Sequence, residues 1–377
     1  MDALVTFPAT ALSYSGYIAA LLFALTIIVF IHEYGHFKVA RLCGMKVDVF
    51  SIGFGREIWG RTDRFGTRWK IGWLPIGGYV KFAGDANATS MPDAENPPQP
   101  DEFHGKPIWQ RALVVLAGPV ANFILAFFLF AGAFYFLGEQ TPGTKIGEVI
   151  QGSAAAEAGL KPDDIVVRIN DEKVQSFTDI VMIVSESPGK NLAFGIDRSG
   201  EALTLNIVPR PTVEDRGFYG KMTVGRIGAA ASQDSSNFHD VPLPRAVELS
   251  AGQIKRIVVL TVQYVGRLII GQDTVAHLGG VGTMAKLTGD AASVGIFQYV
   301  AMVGLLSVSI GLINLFPIPM LDGGHLIFYA IEAIRRKPLG RSAQEWSFRI
   351  GFAVVIFIML VGNMNDLMRA LFGNLAY

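Results

Sequence analysis

The feature that most constrains this chain is a set of apolar runs long enough to cross a lipid bilayer. The hydrocarbon core is about 30 Å thick, and a helix needs about 20 apolar residues to span it. Charged residues make up only 17% of the sequence and hydrophobic residues 51%, which excludes a disordered chain or an ordinary water-soluble enzyme. The runs lie in segments 1–43, 112–138, 297–334 and 348–373. We therefore predict a polytopic α-helical membrane protein with four transmembrane helices.

The third apolar region, 297–334, is long for one helix. Pro317 and Pro319 cannot continue a helix, and Gly323 and Gly324 follow them. Non-helical backbone at membrane depth is tolerated where protein surrounds it. The sequence predicts a helix, an unwound segment and a second short helix.

Segment 246–271 leaves two interpretations open. It is apolar enough to be a fifth span, but its charged and polar residues fall near one helical face. We favour an amphipathic helix in the membrane interface. This helix belongs to segment 213–296, which begins with a polar linker rich in Ser and Gly at 213–244.

The orientation follows from the loops that carry most Lys and Arg, since cytoplasmic loops are enriched in cations. Between Lys38 and Lys81 there are nine Lys or Arg and three acids, and loop 335–347 is also basic. Two crossings separate these regions, so both lie in the cytoplasm if there are four spans. Segment 87–111 would be a cytoplasmic loop, and 139–212 would lie outside. The net charge of zero gives no indication of a nucleic-acid partner.

Segment 139–212 differs from the rest in character. Short β-rich runs at 146–150, 165–169, 192–196 and 202–208 alternate with turn signals. This pattern predicts one inserted α/β domain. The stretch 157–170, with Ala-Gly-Leu followed by Asp-Asp and a strand, resembles a PDZ domain of the bacterial protease type. Such domains bind a peptide strand or a C-terminus at a sheet edge.

The first apolar run contains His32-Glu33-Tyr34-Gly35-His36. Two His at i and i+4 share a helix face, so both imidazoles can bind one Zn²⁺, and Glu33 is a candidate general base. His32 is about 22 Å along the helix from Tyr17, which places it inside the membrane near the cytoplasmic side. The alternative is a polar cluster that only joins helices.

A catalytic zinc ion usually has three protein ligands, and Asp322 is the candidate third ligand. It lies at membrane depth, where an unpaired carboxylate is costly. His325 is a competing candidate, which we consider weaker. Asn314, eight residues before Asp322, could bind a substrate backbone or join two helices.

Together these motifs resemble the site-2 protease family of intramembrane zinc metalloproteases. The resemblance rests on His32–His36 in the first span and on Asn314-x-x-Pro-x-Pro-x-Leu-Asp-Gly-Gly324 in a late span. It also includes the PDZ-like insertion and the stretches 76–82 (Ile-Gly-Gly-Tyr-Val-Lys-Phe) and 118–122 (Gly-Pro-Val-Ala-Asn). The closest type is the bacterial regulator of sigma-E protease, many of whose relatives carry two PDZ domains where this chain has one.

The resemblance implies one Zn²⁺ per chain, held by His32, His36 and Asp322, with Glu33 as the catalytic base. It implies that Asn314 helps to hold the substrate and that segment 44–86 is a membrane-re-entrant β-segment. We expect Gly77, Gly78 and Tyr79 of this segment to contact the substrate.

The implied substrates are single-span membrane proteins, such as anti-sigma factors or remnant signal peptides. The implied location is the bacterial inner membrane, with the PDZ domain in the periplasm and in contact with substrates it filters. Two other classes remain open from the sequence. They are a metal transporter and a catalytically silent membrane scaffold that presents a PDZ groove.

Overall fold

A computed structural model describes residues 2–84, 99–174, 176–215, 221–232, 236–271, 275, 278–337 and 339–372. The chain forms two compact units, which are described separately. Unit 1 contains Met1–Ala133 and Val247–Tyr377, and unit 2 contains Phe134–Ala246. Residues 87–98 of the predicted cytoplasmic loop, 87–111, lie outside the described residues.

Helices account for most of unit 1. The helices among the described residues of both units are α1 (Asp2–Leu42), α2 (Ile108–Leu137), α3 (Ala154–Glu157), α4 (Phe177–Ser185), α5 (Leu243–Ile269), α6 (Val281–Val294), α7 (Ile296–Asn314), α8 (Asp322–Arg335) and α9 (Arg341–Phe372). A short 3-10 turn, Phe103–Gly105, precedes α2.

Strands occur in both units. They are β1 (Val47–Thr62), β2 (Arg68–Phe82), β3 (Glu139–Pro142), β4 (Ile146–Val149), β5 (Ile165–Ile169), β6 (Glu172–Lys173), β7 (Leu192–Arg198), β8 (Glu201–Ile207), β9 (Arg210–Asp215), β10 (Lys221–Arg226), β11 (Ala229–Ala231) and β12 (Ser236–His239).

Four helices within the described part of the chain are long and apolar enough to cross a membrane. They span Ser15–Leu42, Ile108–Leu137, Ile296–Asn314 and Ser342–Phe372. These helices are compatible with a polytopic membrane protein and agree with the predicted number of spans. The amphipathic helix α5 does not belong to this group, and the hydroxyl of Ser250 on α5 donates to the carbonyl of Phe127 on α2.

The third apolar region is interrupted as predicted. Helix α7 ends at Asn314, and α8 begins at Asp322. Between them Pro317 and Pro319 hold the backbone out of helical conformation. Gly323 fits directly against the carbonyls of Leu315 and Phe316, where a Cβ would collide. The first turn of α8 is therefore pressed against the unwound segment, which fixes the position of Asp322.

Helices α1 and α2 pack closely because small residues face each other. At Gly35 an added Cβ would collide with the carbonyl oxygen of Ala117 and lie 2.8 Å from the Cβ of Ala121. This close approach lets side chains of α1 reach the backbone of α2.

Strands β1 and β2 form an antiparallel hairpin that follows α1. Residues 47–52 of β1 pair with 78–82 of β2, and 57–62 pair with 68–72. Phe50 of β1 pairs with Val80 on one side and with Trp69 on the other, so this part of β1 lies between two parts of β2. Asp63 at the turn pairs with Arg41 at the end of α1, with 3.1 Å between Oδ2 and Nη2. The strand character predicted for segment 44–86 is confirmed, whereas its relation to the membrane stays a prediction.

Unit 2 is built on a four-stranded sheet in the order β6-β5-β7-β8. Alternate residues of β7, Phe194 and Ile196, are buried with Val166, Ile169 and Ile207 from its neighbours. Helix α4 begins at a capping box, in which Ser176 and Asp179 each bond to the other's backbone N–H. The four strands predicted from the sequence are present as β4, β5, β7 and β8.

Two parts of the chain differ from the sequence prediction. The predicted linker, 213–244, contains strands: β11 pairs with β4 and β12 with β3, so unit 2 extends past residue 212 to Ala246. These strands are three and four residues long, too short for their composition to distinguish them from loop. Further along segment 213–296 the structure has α6, which the polar and Gly-rich composition of 278–295 did not indicate.

Candidate metal centre

Two histidines of α1 face α2 at its closest approach. His32 and His36 are both 9% exposed, and their Nε2 atoms are 3.2 Å apart. The Nδ1 of His36 lies 2.8 Å from the carbonyl oxygen of Val114. Because a carbonyl only accepts, this bond places the His36 proton on Nδ1 and leaves the Nε2 lone pair free. The imidazole is thereby oriented for metal binding.

Asp322, the first residue of α8, completes the cluster. Its Oδ2 is 3.2 Å from Nε2 of His32, and its Oδ1 is 3.6 Å from Nε2 of His36. Oδ2 is buried and makes no hydrogen bond to any residue the structure describes, because the short approach to His32 lacks hydrogen-bond geometry. A buried carboxylate oxygen in this situation requires a partner that is not a protein donor.

The donor set fits a zinc ion. Ligand atoms about 2.0–2.2 Å from a tetrahedral zinc ion are about 3.3 Å from one another. The two Nε2 atoms are 3.2 Å apart, and each lies near one carboxylate oxygen of Asp322, His32 at 3.2 Å from Oδ2 and His36 at 3.6 Å from Oδ1, so these separations are close to that value. Among the described residues, His32, His36 and Asp322 are the one such group of His, Cys, Asp or Glu side chains. His325, the competing candidate, lies near the cluster but outside it.

The predicted base and substrate residues surround one cavity of about 350 Å³ beside this cluster. Its walls include Glu33, Asn314, Gly77, Gly78 and Tyr79. At Gly78 an added Cβ would lie 3.3 Å from Cγ of Glu33, so β2 runs directly past the glutamate. The structure thus brings all eight residues predicted from the sequence to one place.

Sequence reasoning assigned no role to the α2 residues that surround the imidazoles. A Cβ at Gly118 would collide with Nε2 of His36 and lie 2.9 Å from Cε1 of His32, so only glycine leaves room for the rings. Asn122 is fully buried, with its amide 3.3 Å from Nδ1 of His32. A polar amide inside an apolar span was the available signal, but its partner depends on helix packing that a sequence does not specify.

Comparisons with known proteins show the family to which the chain belongs. The model of peptidase family M50 matches residues 20–358. A protein of Agrobacterium fabrum that carries the name "putative zinc metalloprotease" is 41% identical over 361 residues, which cover 94% of this chain and 96% of the relative. Metalloprotease MmpA of Caulobacter vibrioides is 36% identical, over 93% of this chain and 95% of its own. Regulator of sigma-E protease RseP of Escherichia coli is 29% identical, over 95% of this chain and all of its own.

Fold and site together define a metal-dependent hydrolase whose two histidine donors lie on a long apolar helix. The chain belongs to peptidase family M50 and is a zinc metalloprotease. This identification sets aside the metal transporter and the silent scaffold that the sequence had left open.

Proposed function

We propose that this chain is an intramembrane protease that hydrolyses a peptide bond within or near the transmembrane segment of a single-span membrane protein. The observation that carries this proposal is the position of the metal centre. His32, Glu33 and His36 lie within the candidate span Ser15–Leu42, and Asp322 follows the span Ile296–Asn314 by eight residues. A buried ionisable cluster at this depth is expensive unless it has a function.

His32, His36 and Asp322 hold the zinc ion in this proposal, and Glu33 is the general base. Zinc, when bound, supplies Lewis acidity that polarises a carbonyl and makes water more acidic. Glu33 takes a proton from the attacking water and gives it to the nitrogen of the leaving amine as the C–N bond breaks. The adjacent cavity, lined by Glu33 and both histidines, has room for the peptide at this position.

The substrate binds as an added strand along residues 78–82 of β2. A peptide bond in a membrane helix is protected by its own hydrogen bonds, and strand addition replaces them once the helix unwinds. Two features support this mode. Residues 78–82 have 47–52 as strand neighbours on one side only within the described chain, and Gly77, Gly78 and Tyr79 line the cavity. The glycines leave the substrate backbone free to approach Glu33 closely.

Asn314 of α7 also holds the substrate backbone, in the same cavity that β2 lines. It is the last residue of α7, and its side chain contributes to the cavity wall. The end of a helix followed by unwound chain is a suitable place for a side-chain amide that both donates and accepts.

The remaining elements select the substrate and set the orientation of the protein in the membrane. Unit 2 contains the PDZ-like stretch 157–170. We assign to this unit the role of a periplasmic PDZ domain, which binds a peptide strand or a C-terminus and filters substrates. Helix α5 lies in the membrane interface, consistent with its polar face. The basic residues between Lys38 and Lys81 support an orientation in which the hairpin and the zinc site lie toward the cytoplasm of a bacterial inner membrane. Anti-sigma factors and remnant signal peptides are the substrate classes that this arrangement suits.

The proposal is tested with purified full-length protein and a single-span model peptide. We expect the wild type to cleave the peptide within its apolar segment, a chelator to stop cleavage and added zinc to restore it. Glu33→Gln should keep its zinc and lose about 10²–10⁴-fold in rate, because general acid–base catalysis contributes that much. Glu345→Gln, at an exposed position, is the control and should cleave normally. Cleavage by Glu33→Gln at the wild-type rate would contradict the assignment.

A further inference from the structure

The buried side-chain amide of Asn122 has a hydrogen-bond partner at its nitrogen but not at its oxygen. Its side chain is fully buried, and its Nδ2 lies 3.3 Å from Nδ1 of His32. Its Oδ1 is buried and makes no hydrogen bond to any residue that the structure describes. A buried, unsatisfied amide oxygen costs about 1–3 kcal/mol, which calls for an explanation.

The two ends of the amide have opposite consequences for His32. With Nδ2 against Nδ1, the amide donates and the imidazole proton must sit on Nε2. That proton would occupy the Nε2 lone pair, which lies 3.2 Å from both the Nε2 of His36 and the Oδ2 of Asp322, and it would prevent Nε2 from binding a metal. With Oδ1 against Nδ1, the imidazole donates, the amide oxygen gains its partner in place of Nδ2, and the Nε2 lone pair is free.

The second arrangement is the one that His36 already has. The Nδ1 of His36 donates to the carbonyl of Val114, also on α2, at 2.8 Å. Gly118, between Val114 and Asn122 on the same helix, leaves the space for both rings. In this arrangement α2 supplies one acceptor for each imidazole.

The backbone at Asn122 is held firmly enough for this role. Ser307 of α7 donates its hydroxyl to the Asn122 carbonyl at 2.8 Å. Gly311 of α7 lets the helices approach, since a Cβ there would lie 3.1 Å from the Cβ of Asn122. The amide therefore meets His32 from a fixed position.

We propose that Asn122 is a positioning residue that accepts a hydrogen bond from Nδ1–H of His32 and holds that imidazole in the tautomer able to bind zinc. Asn122 does not itself bind the metal. This inference rests on the proposed function, because it assumes that His32 is a zinc ligand.

The test compares the zinc affinity of full-length variants in competition with a chelator, together with the visible absorption of the cobalt-substituted proteins. Asn122→Leu keeps the approximate volume and removes the acceptor, so its zinc affinity should fall about 10–100-fold. Asn122→Asp keeps only acceptors, so its zinc affinity should stay within about threefold of wild type, with an unchanged cobalt spectrum. Asn206→Leu makes the same change at an exposed position of unit 2, and it should bind zinc as the wild type does.

The Asp variant decides the question even if the Leu variant does not fold. An amide that donated to His32 could not be replaced by a carboxylate, so loss of zinc affinity in Asn122→Asp overturns the inference. Wild-type affinity in a folded Asn122→Leu overturns it as well. Failure of the underlying assignment gives a different result, since the wild type would then bind no more zinc than His32→Ala.

Discussion

At the scale of single residues, Gly118 shows how little space α2 leaves around the metal centre. Because an added Cβ would meet both imidazoles, Gly118→Ala should displace them and lower zinc affinity by about tenfold or more. The measurement is chelator competition on the purified variant. Gly132→Ala on the same helix is the matched control, since a Cβ added there would have no atom of a described residue within 4 Å. Equal zinc affinity in Gly118→Ala and the wild type would contradict this reading of the site.

The residues of the site differ in how far the sequence predicts them. His32 and His36 are one helix turn apart, so their spacing alone places them on one face, and Glu33 lies between them in sequence. Asp322 was predicted because its carboxylate at membrane depth needs a partner. Gly118, Asn122 and the carbonyl of Val114 were not assigned roles, since their contacts depend on the register of α2 against α1. That register is set by the close approach at Gly35, which is visible only in three dimensions.

At the scale of elements, a buried ion pair joins α2 to α8. Arg111 and Glu332 form two hydrogen bonds, the shorter 2.7 Å, and their side chains are 11% and 16% exposed. The Arg111 guanidinium also lies 5.0 Å from the ring centre of Tyr329. This contact helps to fix α8, the helix that carries Asp322.

A double-mutant cycle tests the ion pair. Arg111→Met or Glu332→Leu alone leaves an unpaired buried charge and should destabilise the protein by about 3–5 kcal/mol. The double variant should lose less than the sum of the two, because it removes both charges. Thermal unfolding in detergent gives the three values. Additive losses would mean that the two side chains do not interact.

A second ion pair stabilises unit 2. The carboxylate of Asp164 accepts two hydrogen bonds from Arg198, at 2.7 and 2.8 Å, and one from the backbone N–H of Lys161. Burial alone would raise the pKa of Asp164, but the hydrogen bonds and charge of Arg198 outweigh it and hold the pKa below its usual value. The pair therefore stabilises the unit above about pH 4, and the contribution is lost as pH falls through the folded-state pKa.

Hydrogen exchange of the β7 amides in the full-length protein measures this contribution. Asp164→Asn should speed exchange at pH 7, and the difference from wild type should shrink as the pH is lowered below about 4. Asp163→Asn is the control, since Asp163 is 80% exposed in its pair with Lys145 and an exposed pair contributes little. The same exchange rate in Asp164→Asn and wild type at pH 7 would show that the pair is not stabilising.

Long elements were easier to predict than short ones. The four apolar helices follow from length and hydropathy, and β5 from its β-branched residues between turn signals. The three residues of β11 are all Ala, which has no strand preference, so pairing with β4 decides their conformation. Helix α6 is stabilised by packing against α1: its Gly289 has no room for a Cβ beside the ring of Tyr17. Tertiary contacts, not local composition, specify such elements.

At the scale of the whole molecule, the metal centre joins parts of the chain that are far apart in sequence. Asp322 and the histidines are separated by nearly three hundred residues, including all of unit 2. Their meeting requires α8 to start where the unwound segment ends, and α2 contacts both elements, through Val114 to His36 and through Arg111 to Glu332.

The zinc content of the purified full-length protein tests this account most directly. We predict about one zinc per chain in the wild type and in Glu33→Gln, and close to none in His36→Ala and Asp322→Asn, by mass spectrometry of the metal after removal of loosely bound ions. One zinc per chain in both ligand variants would contradict a site shared by α1 and α8, and so would a wild type that holds none after reconstitution.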